Sequence, residues 1–115
     1  MSQPQSSSQS VSASSPKTLD EAFAQITDEL LQVFLKKHKD YGKENILSIE
    51  ELGISMRILE KTQRLKNLLM SQDQPANESI EDTWTDIAVY AIIGMLYRRQ
   101  QFQDLNVKPE LLKEF

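Results

Sequence analysis

A chain of 115 residues without cysteine excludes disulfides, thiol chemistry and Cys-type zinc sites, and is long enough for one modest core. Its net charge of -4 argues against non-specific nucleic-acid binding, so no nucleic-acid partner is expected. No apolar run of about 18 residues is present to span a membrane, and the lack of cysteine fits a cytoplasmic location.

Residues 1–16 are mostly Ser and Gln. Such a segment buries too little surface to offset its ordering entropy, and a disordered tail is expected. It lacks the positive start and apolar centre of a secretory signal, and it carries no Arg to suggest a transit peptide. Residues 17–115 are expected to form a single helical domain, since Gly and Pro are scarce and no strand-like alternation persists. The first helix is expected to start at Thr18, which has capping-box spacing to Glu21, and to end near Lys39, before Tyr41-Gly42. Leu19, Phe23, Ile26, Leu30 and Phe34 form its apolar stripe. The second helix is expected from Ile49 or Gly53 to Met70, with an apolar stripe of Ile54, Ile58, Leu65 and Leu69 beside a polar one of Arg57, Glu60, Lys61 and Arg64. Residues 71–77 read as a loop, with Asn77 as N-cap of a third helix reaching about Gln100. Residues 107–115 suggest a short final helix with Pro109 near its first turn. The expected fold is therefore an all-α bundle of three long helices plus a short C-terminal one. Beyond Asp86 the third helix is apolar on nearly all sides, more than two partner helices cover. A homo-oligomer is expected, with the second half of that helix at the interface and Trp84 in the core or interface.

Three constellations could carry chemistry. Glu78, Asp82 and Asp86 are spaced by four, with Glu81 beside them, so at about 100° per residue they share one broad helix face. Asp86 opens onto the run Ile87 to Ile93, where a buried charge needs a cation or a metal ion beside it. With Glu60 these acids could supply the hard oxygen ligands of Mg²⁺; alternatively they form a salt-bridge seam with Arg57, Lys61 and Arg64. That basic stripe suits nucleotide phosphates or, equally, a solvated helix face. The segment 38–45 could stack Tyr41 on a base and place Asn45 at its edge, or serve as a helix C-cap with Gly42 at C′ and Tyr41 packed back. His38 is the only histidine and reads as structural or exposed.

The segments KDYGKENI, GISMRILEKTQRLKNLL and ESIEDTWTDIAVYAIIGMLYR resemble a small phage and bacterial family, the nucleotide modification associated domain. That family in turn resembles the all-α nucleoside triphosphate pyrophosphohydrolases of the MazG and dimeric dUTPase type. The resemblance implies a helical bundle, often dimeric, with E-x-x-E and E-x-x-D motifs that hold Mg²⁺ to activate water. Asp86 matches the last acid of the second motif, Asp82 an acid one turn earlier, and Glu60 an acid of the first. The first motif is incomplete, because Arg57 and Gln63 flank Glu60 at three residues on either side. The implied reading is a metal-dependent nucleotide pyrophosphohydrolase-like protein using Mg²⁺, with Mn²⁺ as substitute. Glu60, Asp82 and Asp86 would be its metal ligands, and Glu78 or Glu81 a further ligand or catalytic base. Arg57, Lys61 and Arg64 would be the phosphate contacts, and Tyr41 and Asn45 the base or sugar contacts. The alternatives are a non-catalytic nucleotide binder on the same scaffold, favoured by the missing acid, and a structural oligomeric bundle.

Overall fold

The computed structural model describes residues 15–71 and 77–115, apart from the side chains of Asn77 and Glu78. The expected disordered tail lies outside the described residues except for Ser15 and Pro16, as does the expected loop between Ser71 and Asn77. Every element among the described residues is helical: α1 (Leu19–Tyr41), α2 (Glu44–Met70), α3 (Asn77–Arg98), α4 (Gln101–Asp104) and α5 (Pro109–Leu112). None of these helices is long and apolar enough to cross a membrane. The chain divides into two compact units, one ending at Gln32 and the other Val33–Phe115, with the boundary inside α1.

In the first unit, Thr18 caps α1 as its spacing predicts. Its Oγ1 accepts from the Glu21 backbone N–H at 3.3 Å, while the Glu21 carboxylate accepts from the Lys17 N–H at 2.8 Å. The expected apolar stripe of α1 divides: Leu19, Phe23 and Ile26 are exposed, Leu30 and Phe34 are half-buried, and the one buried residue of the helix is Leu35, in the second unit. Spacing identified the stripe but not whether anything covers it.

The second unit is built on α2 and α3, which run antiparallel. Glu51 pairs with Arg98, Ile54 lies against Gly94, and Lys61 reaches Asp86, a constant register along both helices. Ile54, only 1% exposed, centres the core with Leu65, Val89 and Ile93. Leu69, expected on this stripe, faces solvent, and Leu68 is the half-buried residue at that turn. Trp84 is 54% exposed, so it is not a core residue of this chain. An apolar run on all sides gives no helical phase, and Thr83 takes the buried position, its hydroxyl donating to the Ser79 carbonyl at 2.7 Å.

Two departures from sequence expectation shape the rest. First, α1 continues to Tyr41 and ends on Gly42, whose φ of 67° and N–H bond to the His38 carbonyl at 2.8 Å make a left-handed C-cap. Second, α2 begins at Glu44 and is broken at Glu50 (φ 61°, ψ -174°), a region essentially reserved for glycine. The long arm expected from Ile49 or Gly53 is real, and a short arm precedes it. Gln100, at φ 63°, likewise ends α3 and turns the chain into α4, which buries Phe102. Sequence spacing left α4 unread, since a single turn has no periodicity to detect.

The break at Glu50 explains Gly53. In an unbroken helix, Cβ atoms four residues apart are about 5–6 Å apart. Here a Cβ added at Gly53 would lie 2.4 Å from the Ile49 Cβ, whereas one added at Gly94 would lie 3.6 Å from the Ile54 Cγ2, an ordinary contact. The same substitution should therefore have opposite signs at the two sites. Gly53→Ala should destabilise by about 1–3 kcal/mol through overpacking, and Gly94→Ala should be neutral or gain up to about 1 kcal/mol of helix propensity. Urea denaturation of the two variants checks this, and a stabilised Gly53→Ala protein would mean that α2 is unbroken.

Candidate functional site

A cavity of about 320 Å³ in the second unit opens between the last turns of α1, the short arm of α2, and the faces of α3 and α4. Phe34, His38, Tyr41, Tyr90 and Phe102 give it an aromatic lining, and Lys37, Asn45 and Asp86 its polar groups. The local structure explains these positions. The Gly42 cap reverses the chain directly after Tyr41 and delivers Asn45 and Ile46 to the cavity, and the break at Glu50 then releases the chain into the long arm of α2. A smaller depression of about 170 Å³ adjoins it, sharing Asn45, Ile46 and Tyr90 and adding Ser48, Ile49 and Arg57.

Asp86 has cations beside it. Lys37 Nζ lies 3.2 Å from Oδ1 and Lys61 Nζ 3.1 Å from Oδ2, so each carboxylate oxygen holds a lysine from a different helix. The Asp86 side chain is 21% exposed, against 50% for Lys37 and 34% for Lys61. Ion pairs this open to water contribute roughly 0–1 kcal/mol each. The lysines are therefore held in place but readily exchanged for another anion.

The residues singled out by sequence separate into two groups. Tyr41, Asn45 and Asp86 share the cavity, Lys61 is bound to Asp86, and Arg57 lines the adjoining depression. Glu60 is exposed and pairs with Arg57 at 3.6 Å rather than approaching Asp86. Arg64, Glu81 and Asp82 are exposed and line neither depression. The side chain of Glu78 lies outside the described residues. Among the described residues no three acids gather into a metal-binding group. Sequence reasoning missed Lys37, Tyr90, Phe34 and Phe102 as cavity residues. The one available signal for Lys37 was the basic run Lys36-Lys37-His38-Lys39 beside the 38–45 segment.

His38 is fixed by rings. Phe34 stacks on it with centroids 5.4 Å apart, and Phe102 meets it edge-on at 6.4 Å. Partial burial lowers its pKa below the ordinary 6.5, and the nearby Lys43 ammonium acts in the same direction. Lys43 is itself anchored, donating to the carbonyls of Gln103 at 3.2 Å and Leu105 at 2.6 Å.

With this geometry in view, the comparison with known families is decisive for membership. Residues 37–97, more than half of the chain, match the family described as Nucleotide modification associated domain 1. The chain belongs to that family. No curated protein and no solved structure matches it. The part of the chain matching Nucleotide modification associated domain 1 contains both lysines, Asp86, Tyr41, Asn45 and Tyr90, and leaves out Phe34 and Phe102.

The lowered pKa of His38 has a thermodynamic consequence. The unfolded chain protonates His38 near 6.5, and the folded chain only at lower pH. Stability should be full above that value and decline as pH falls from it towards the folded value, because the unfolded state takes up the proton first. Urea midpoints between about pH 7.5 and pH 5.5, above the carboxylate range, should show this decline in the wild type and a flatter profile in His38→Phe. Parallel profiles would place the titration elsewhere.

Proposed function

We propose that the protein binds a nucleotide in the large cavity, with its base against the aromatic lining, Asn45 at the base or sugar, and its phosphates on Lys37 and Lys61. The observation that carries this reading is the meeting, at one cavity, of aromatic rings, an amide and the Lys37–Asp86 pair, with Lys61 on the other oxygen of Asp86. Aromatic side chains stack on any base, and a cavity of about 320 Å³ falls within the range of small-molecule sites. Asp86 neutralises one of the two lysine charges, so the cluster carries an excess positive charge that a phosphate group satisfies. Arg57, in the adjoining depression, stands ready as a further anion contact. The family description, which associates the domain with nucleotide modification, supports the same ligand class. A cytoplasmic location is part of this proposal.

A second reading, metal-dependent hydrolysis of a nucleoside triphosphate, is favoured by the position of Asp86 on the cavity wall. Mg²⁺ is commonly bound by one or two carboxylates together with substrate phosphates. Asp86 fits that pattern as a single carboxylate, so the residues present suit Mg²⁺ or Mn²⁺ carried in by a nucleotide, not a free ion. Such an ion would neutralise phosphate charge and activate water. The chain's own part would be to hold the phosphates on Lys37 and Lys61 and the base against the rings. The sequence resemblance of Asp82 and Asp86 to the second acidic motif of the all-α pyrophosphohydrolases is what suggests this second reading.

Calorimetry with nucleoside triphosphates, run with and without Mg²⁺ beside an assay for released pyrophosphate, tests both. Lys37→Ala and Lys61→Ala should each weaken binding roughly tenfold, the worth of a hydrogen bond to a charged group. Asp86→Asn frees both lysines and should strengthen metal-free binding; on the hydrolytic reading it also abolishes Mg²⁺-dependent pyrophosphate release. A wild type that binds no nucleotide overturns the proposal.

We propose further that the outer face of α3 meets a second copy of this chain. Trp84, Ile92 and Met95 are exposed at helical spacing, with Ala88 and Ala91 among them, and no charged residue interrupts the stripe between Trp84 and Met95. Light scattering should give a multiple of the 13.2 kDa chain mass, and Ile92→Glu should reduce it to the monomer. A wild-type monomer at micromolar concentration would refute this.

A further inference from the structure

We infer that His38 reads the nucleobase: its imidazole edge, held in the cavity by Phe34 and Phe102, hydrogen-bonds the heteroatoms of a planar heterocycle, so the aromatic end of the cavity takes the base and the lysine end the phosphates. This rests on the nucleotide reading above and adds to it a residue and an orientation. The ring is fixed in two directions, by the Phe34 face at 5.4 Å and the Phe102 edge at 6.4 Å. It lines the cavity, yet among the described residues no protein hydrogen bond reaches either ring nitrogen. An immobilised polar ring that lines a cavity, with hydrogen-bonding atoms no protein group uses, suits a ligand edge better than it suits packing, which Phe would do equally well.

The charges around it point the same way. A neutral imidazole offers one donor and one acceptor, the pairing that base edges present, whereas an imidazolium offers two donors and suits phosphate. Partial burial and the Lys43 ammonium both keep His38 neutral. Lys43 is locked on the Gln103 and Leu105 carbonyls, so it stays beside the ring and is not available to pair with a phosphate. Lys37 and Asp86 are the charged groups of the cavity lining, and they belong to the lysine cluster that defines the phosphate end. Tyr41, Tyr90 and Asn45 complete the lining around a bound base.

The test separates base from phosphate. Binding of the four common nucleoside monophosphates and of inorganic tripolyphosphate is measured by calorimetry for wild type, His38→Phe and His38→Gln. Phe preserves the ring stack and removes the hydrogen bonds; Gln keeps polarity and gives a second variant should the first fold poorly. The expected result is a roughly five- to tenfold loss for the preferred nucleotide in His38→Phe, unchanged tripolyphosphate binding in both variants, and partial recovery in His38→Gln. Nucleotide binding unaffected by either change would overturn this inference while leaving the nucleotide reading intact. Equal loss for nucleotide and tripolyphosphate would also overturn it, since His38 would then act only through the shape of the cavity. A wild type that binds tripolyphosphate but no nucleotide would remove both readings.

Discussion

The carboxylate of Asp86, held between Lys37 and Lys61, is the point on which the second unit depends. It joins the last turns of α1, the long arm of α2 and the face of α3 through one side chain, with one lysine on each oxygen. Its position follows from the sequence: an acid at the mouth of the run Ile87 to Ile93 must find positive partners or lose its charge. Two lysines more than satisfy it, and the surplus positive charge is what the proposed phosphate binding draws on. Because all three groups remain partly exposed, the cluster adds little to stability. Its value lies in positioning, since it holds Lys37 at the cavity wall and Lys61 beside it at low cost to their release.

A second constraint builds the opposite wall. Gly42 and Glu50 both adopt positive φ, and between them lies the short arm that carries Asn45 and Ile46 into the cavity. Glycine takes such a backbone readily, but a glutamate there costs on the order of 1–3 kcal/mol. Surrounding structure must impose that conformation. The Ile54 core and the Glu51–Arg98 pair fix the chain just after Glu50. Lys43, bonded to the carbonyls of Gln103 and Leu105, fixes it at the start of the arm. Strain therefore sits in the segment that lines the cavity, and Gly53, whose missing side chain makes room for Ile49, allows the backbone to turn there.

Much of this was legible in the sequence because it depends on local rules. Thr18 as a cap, Gly42 as a helix end, the all-helical class and the need of Asp86 for a partner all follow from short-range chemistry. Tyr41 and Asn45 were readable because a turn concentrates functional groups. Lys37 was not, because its partner lies 49 residues away and nothing local distinguishes it from Lys36 or Lys39. Only the packing phase of α1 against α3 decides which of them reaches Asp86. The same limit explains Glu60 and Lys61: both lie on the polar stripe, and the register of α2 against α3 points Lys61 at Asp86 and leaves Glu60 to Arg57. Trp84 shows the converse. An all-apolar helix offers no phase, so its outward-facing side emerges only when Thr83, Val89 and Ile93 are seen to be buried.

These charges also constrain how the proposed binder and the proposed hydrolase could differ. A free divalent cation approaching Asp86 meets two ammonium groups already on its oxygens, and the repulsion is not screened at such short range. A nucleotide polyphosphate reverses that balance, because its oxygens draw the lysines off the carboxylate and bring enough negative charge to admit a cation. Metal and nucleotide would then bind far better together than apart, and by linkage each would raise the affinity of the other by the same factor. A site with three converging acids would bind the ion first and the nucleotide second. On the proposed reading, the lysine-bridged Asp86 would admit the metal only with or after the nucleotide, so the coupling between the two ligands would separate a metal-using site from a metal-free binding one.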